Sequence, residues 1–167
     1  MLELDDARWQ LLTSFFGDGS DVPLAIKAWL DSIGTESETD TYADGICELV
    51  LHQLTITNAA LAFVPWVLHA YVKTETEFRW KYLTDIAIVE ANRVAYGVYY
   101  NAEGTEPYPD WLMGPYLEAV EAAKLLALDL VALDREAAWD CGLLALMPAF
   151  DGDGKTAWQQ WTIRYET

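Results

Sequence analysis

Leu49-Val-Leu-His-Gln-Leu-Thr-Ile-Thr-Asn-Ala-Ala-Leu-Ala-Phe-Val-Pro-Trp66 holds the end of one helix, a short link and the start of another. Upstream, Tyr42, Ile46, Leu49, Val50 and Gln53 fall on a single helical face. Thr55-Ile-Thr57 is the link, and Asn58 is placed to cap the next helix. That helix carries Ala60, Phe63, Val64, Val67, Leu68 and Tyr71 in a stripe, with Pro65 inside it as a kink point. So short a link forces the two helices antiparallel.

The same pattern extends in both directions. Asp5 to Phe16 places Trp9, Leu12 and Phe16 at helical spacing, and Gly17-Asp-Gly-Ser20 stops it. Asp21 then reads as an N-cap with Pro23 in the first turn, ahead of Ile26, Trp29, Leu30 and Ile33. Gly34 ends that helix, and Thr35 to Thr41 reads as a polar loop. Downstream, a long helix from about Glu75 to Tyr99 carries Phe78, Tyr82, Ile86, Val89 and Tyr96. Asn101 to Pro109 is a turn-rich break between two halves. A helix from about Asp110 to Ala132 lines up Leu117, Val120, Ala123, Ala127 and Leu130, with Glu118, Glu121 and Asp129 off the line. Asp134 caps a helix bearing Trp139, Leu143, Leu146 and Met147, which Pro148 closes. Trp158, Trp161 and Tyr165 mark a last segment. No segment sustains strand alternation. The expectation is an all-α chain of about eight helices over residues 1–167. Its helical hairpins stack as a short α-solenoid, with a closed helical bundle as the alternative.

Two stretches favour the stack. Phe16-Gly-Asp-Gly-Ser-Asp-Val-Pro-Leu24 and Leu49 to Trp66 together resemble bacterial HEAT-repeat (armadillo-like) proteins of uncharacterised function. Gly17, Asp21, Val22 and Pro23 match that family's turn before a helix. His52, Gln53, Thr55, Ala59, Val64 and Pro65 match its later helix end and helix start. Leu54 stands where the family has glycine, and Ile56 where it has an aromatic. The likeness ends near Tyr71 and implies a fold but no chemistry.

Composition narrows the function. The chain has 27 Asp and Glu against 10 Lys and Arg, a formal net charge of −17. The excess is spread along the whole chain rather than gathered in a tail. Such a surface repels phosphate backbones and anionic lipid heads, so no nucleic-acid or membrane partner is expected. Solubility, a salty habitat or complementarity to a basic protein would each account for it. Cys47 and Cys141 lie far apart without a CxxC motif, which fits reduced thiols. The acidic start, Met1-Leu-Glu-Leu-Asp-Asp6, lacks a signal peptide's basic region. The longest apolar run, Ala59 to Val72, is too short to span a bilayer. Together these point to the cytoplasm.

Candidate sites are few. His52 and His69 are the two histidines, and neither forms an HxxxH or HExxH motif. Glu48, one turn before His52, could join them as a metal carboxylate. The alternative has His52 and Gln53 satisfying polar groups at a helix end. Asp151-Gly-Asp-Gly-Lys-Thr156 opens like a calcium loop but lacks its later glycine and glutamate, so it reads as a turn. No metal and no cofactor is expected. Glu90 and Arg93 are spaced as an ordinary i,i+3 ion pair. A ligand-binding reading would set Asp85, Glu90 and Arg93 in a groove rimmed by Trp66, Trp80, Tyr99 and Trp111. No Gly-x-Ser-x-Gly, P-loop or GxGxxG occurs, and no catalytic residue is singled out.

The expectation that follows is a non-catalytic binding module whose acidic helical surface meets a basic protein partner, by analogy an immunity- or antitoxin-like role. The other class is a small-ligand-binding protein or enzyme with a Trp/Tyr-lined pocket using Asp85, Glu90 and Arg93.

Overall fold

The computed structural model describes residues 1–52, 54–74, 76–96 and 108–166, the side chains of 76–78 and 165–166 excepted. Most of these residues are helical. The helices are α1 (Val22–Ser32), α2 (Glu38–Asp40), α3 (Glu48–Val50), α4 (Asn58–Tyr71), α5 (Thr76–Ala95), α6 (Asp110–Leu133), α7 (Arg135–Asp140), α8 (Leu143–Leu146) and α9 (Gly154–Glu166). Between α2 and α3, Thr41–Cys47 forms a π-helical stretch.

Helix starts follow the local chemistry. Pro23 sits in the first turn of α1, where its missing N–H costs no helical bond. Asp134 caps α7 by accepting the Ala137 amide, and Asp153 accepts the Thr156 amide at the start of α9. Asp151-Gly-Asp-Gly154 is a turn, with Gly152 in the left-handed region. The cap of α4 is Thr57 rather than Asn58. The Asn58 side chain instead accepts the Thr13 amide at 2.5 Å, stitching the N-terminal segment to α4.

Three expected helical segments take other forms; the one after Asp134 breaks at Gly142, in the left-handed region, into α7 and α8. Asp5 to Phe16 is not one helix: Ala7–Leu11 is a 3-10 turn, and β1 (Thr13–Ser14) pairs antiparallel with β2 (Gly17–Asp18). Trp9 and Leu12 are buried, whereas Phe16 is 72% exposed. The Trp9 indole donates to the Glu3 carbonyl at 2.8 Å. The helical face through Gln53 stops at Val50. Beyond it, β3 (Leu51–His52) pairs with β4 (Thr55–Ile56) across a tight reversal, with Leu54 at φ 61°. Gln53 lies outside the described residues.

The centre of the molecule is α5. It packs against α4, α6, α8, α9 and the 3-10 turn Met147–Asp151, and every residue from Tyr82 to Asn92 is buried. Beside it, Trp29, Tyr42, Phe63 and Tyr82 form an aromatic knot with ring centroids 4.7–6.1 Å apart. The buried face of α6 is Leu112, Tyr116, Ala119, Val120, Ala123, Ala127 and Leu130. Leu117, expected on that face, is instead 44% exposed. The alanines let α6 lie close to its neighbours α4 and α5.

Candidate functional site

Asp85 and Glu90 are buried carboxylates on α5. Burying an unpaired charge is costly, so each needs a partner or a ligand. Glu90 has its partners within the fold. Arg93 holds it in a two-pronged grip, with Nε donating to Oε2 and a terminal nitrogen to Oε1, both at 2.7 Å. The Tyr116 hydroxyl donates to Oε2 at 2.6 Å, and the Arg93 guanidinium lies over the Tyr116 ring. Hydrogen bonding to Glu90 raises the Arg93 pKa further. Burial, reinforced by the Glu90 charge, pushes the Tyr116 phenol well above its usual value.

Asp85 belongs to a second pair. Lys81 Nζ donates to it at 2.9 Å and lies 5.0 Å from the centre of the Tyr42 ring. Burial pulls the Lys81 pKa down, but the Asp85 charge more than offsets this and holds it above the usual value. Burial also raises the neighbouring Cys47 thiol far out of the nucleophilic range. Asp85, Glu90 and Arg93 therefore do not converge on one ligand position. They are spent in two internal pairs.

The expected aromatic rim is also dispersed. Trp66 is buried and donates to the Leu2 carbonyl at 3.1 Å. Trp80 is half-buried and its carbonyl accepts the Thr84 hydroxyl. Trp111 is half-buried beneath the Arg8 guanidinium, 5.0 Å from the ring centre. Tyr99 lies outside the described residues. His52 Nδ1 is 2.8 Å from Glu48 Oε2, and the His52 ring packs on Phe15. His69 is exposed and packs edge-on against Trp66. Among the described residues no three His, Cys, Asp or Glu side chains are grouped to hold a metal.

One buried carboxylate escaped the sequence reading. Glu38, expected in a solvated loop, is fully buried. Its Oε1 accepts the hydroxyls of Thr74 at 2.5 Å and Tyr82 at 2.6 Å, and its Oε2 accepts the Gly34 amide at 2.7 Å. The Trp29 indole completes the chain by donating to the Tyr82 hydroxyl at 2.9 Å. Burial pushes Glu38 up, yet the Gly34 amide and the two hydroxyls outweigh it and hold the group below its ordinary range. The one signal was indirect: a tyrosine on the apolar stripe of a central helix must find an acceptor for its hydroxyl.

Among the described residues the larger spaces are open grooves and the enclosed one is small. A closed space of about 10 Å³ beside Tyr42, Cys47, Phe63, Asp85 and Val89 is the size of a single water. An open groove of about 610 Å³ is lined by Arg135, Glu136, Trp139, Leu144 and Gln160, with no Ser, Cys or His. A groove of about 370 Å³ between α4 and α6 is mainly apolar. No helix among the described residues is long and apolar enough to cross a membrane.

The exterior is uniform in a different way. Among the described residues 17 Asp and Glu are exposed against 5 Lys and Arg, so most of the charge excess faces solvent.

No family model, curated protein or solved structure matches the chain.

Proposed function

We propose that this chain is a non-catalytic binding module whose acidic helical surface receives a basic protein. The observation that carries the reading is the contrast between interior and exterior. The buried ionisable groups Glu38, Asp85 and Glu90 are satisfied within the fold. Among the described residues the exposed carboxylates outnumber the exposed cations more than threefold. A field of that sign attracts cationic surfaces and disfavours nucleic acid and anionic membranes. Pairing of the immunity or antitoxin kind is one form such contact takes. The cytoplasmic setting belongs to the same proposal, supported by two cysteines that are both free.

The architecture suits this role. Helices α4, α5 and α6 all pack against one another, an arrangement compatible with stacked hairpins. Pro23 and Pro65, each within its helix, support the HEAT-like reading of the chain up to Tyr71. The packing of α8 and α9 on α5 supports closure into a bundle. Either arrangement buries the apolar faces and leaves the carboxylates outside.

The test is affinity capture from the native host across a salt series. A partner of basic isoelectric point, released as salt rises, supports the reading. An acidic partner, or a tightly bound small molecule in the purified chain, overturns it.

A further inference from the structure

We infer that the outer face of α6 is the docking strip of this acidic surface, and that it takes a basic amphipathic helix of the partner. The inference rests on the binding reading above and names where and how that contact is made.

Helix α6 has an inner face already committed to α4 and α5. Its outer face still carries Leu117, Leu125 and Leu128, which are 44%, 64% and 47% exposed. With Glu121 and Ala132 they recur at i, i+4, i+8, i+11 and i+15, the spacing of one helix face. From Leu117 to Leu128 the row runs about 16 Å. Single exposed leucines are ordinary; three on one helix face offer an apolar contact for a partner helix.

The charges around the row select the occupant. Glu121 lies within it, and the exposed Glu118 and Asp129 follow one edge. The cation nearby, Lys124, is turned to Asp151 at 2.7 Å. An apolar row edged by carboxylates complements a helix with an apolar stripe edged by Lys or Arg. A second copy would bring glutamate against glutamate and a charge of −17 against −17. An anionic membrane surface would be repelled by the same edge.

The test uses labelled helical peptides of roughly 20 residues, long enough to cover the row. One carries a leucine stripe with lysines, one has the same lysines with serines in the stripe, and one has the leucine stripe with glutamates. Anisotropy is measured with the whole chain and with the Leu125→Ser/Leu128→Ser variant. A Leu24→Ser variant serves as control, since Leu24 is 69% exposed on α1. The expected result is binding of the leucine–lysine peptide alone, weakened about tenfold or more by the α6 pair and unchanged by the control. Equal binding to all three proteins overturns the α6 strip while leaving an acidic binding surface. No binding of the leucine–lysine peptide at low salt overturns both. Concentration-dependent dimerisation that the α6 pair abolishes, without peptide binding, gives the strip to a second copy and overturns the inference.

Discussion

Tyr82 donates its hydroxyl proton to Oε1 of Glu38 at 2.6 Å, a bond that joins residues 44 positions apart. It ties the short helix α2 to the central helix α5, and Thr74 donates to the same oxygen from the segment between α4 and α5. Three separate parts of the chain therefore meet on one buried carboxylate.

That meeting makes acid sensitivity specific. The native Glu38 lies below its ordinary value of 4.5, so the unfolded chain binds the proton more readily. Its contribution is complete above that value and is lost as pH falls through the lower native one. Glu38→Gln puts an amide donor against either the Gly34 N–H or the two hydroxyls, and should cost about 2 kcal/mol at pH 7. Urea titrations of both proteins from pH 7 to pH 3 check this. The stability gap should narrow on acidification; a gap constant with pH would refute the assigned ionisation.

The Glu90–Arg93–Tyr116 group yields a graded series. Tyr116→Phe removes one hydrogen bond to a carboxylate that Arg93 still neutralises, a loss of about 1–2 kcal/mol. Arg93→Ala leaves Glu90 buried without its cation. Since the Arg93 side chain is 24% exposed, the loss should be at the lower end of the buried-pair range, about 3 kcal/mol. Thermal melts of the two variants rank them. A larger effect of Tyr116→Phe would show that the phenol, not the guanidinium, carries the site.

How much of this was legible depended on how local the signal was. The helical stripe through Ile86 and Val89 and the helix start at Pro23 follow from spacing and backbone chemistry within a few residues. The burial of Glu38 does not, because its donors Thr74 and Tyr82 are supplied from 36 and 44 positions away. Residues 5–16 misled for a related reason. Trp9 and Leu12 are buried as the stripe requires, but the Thr13 amide donates to Asn58 and β1 pairs with β2, which takes the backbone out of a helix. Glu90 and Arg93 were legible as a pair by spacing, while Tyr116, which completes it, lies on another helix.

Leu54 carries a backbone cost. Its φ of 61° lies in the left-handed region, which an L side chain occupies at about 1–2 kcal/mol and glycine without steric penalty. Leu54 is 42% exposed, so little packing is lost on removing it. Leu54→Gly gains relief of strain against a larger unfolded-state entropy, for a net gain of up to about 1 kcal/mol. Leu54→Val, branched at Cβ, should lose stability instead. Chemical denaturation of the pair checks the sign; a destabilised glycine variant would mean that Leu54 contributes more by contact than it costs in backbone strain.

Gly154 tests the packing of α9 on the central helix. A Cβ there would lie 2.5 Å from the Ala91 carbonyl oxygen and 2.6 Å from Cγ2 of Val94, both on α5. The first obstacle is backbone, so the clash cannot be relieved by a rotamer change alone. Gly154→Ala must push the two helices apart and should cost about 1–3 kcal/mol, although alanine is the better helix former. The neighbouring Gly152, with open space around its Cβ position but φ 81°, provides the contrast. Its alanine variant should suffer backbone strain of about 1–2 kcal/mol and leave the α5–α9 contact in place. Hydrogen exchange separates the two mechanisms. Gly154→Ala should lower protection along α5 around Ala91, whereas Gly152→Ala should confine its effect to the turn before α9. Unchanged protection at Ala91 in the Gly154 variant would place α9 farther from α5 than the close approach requires.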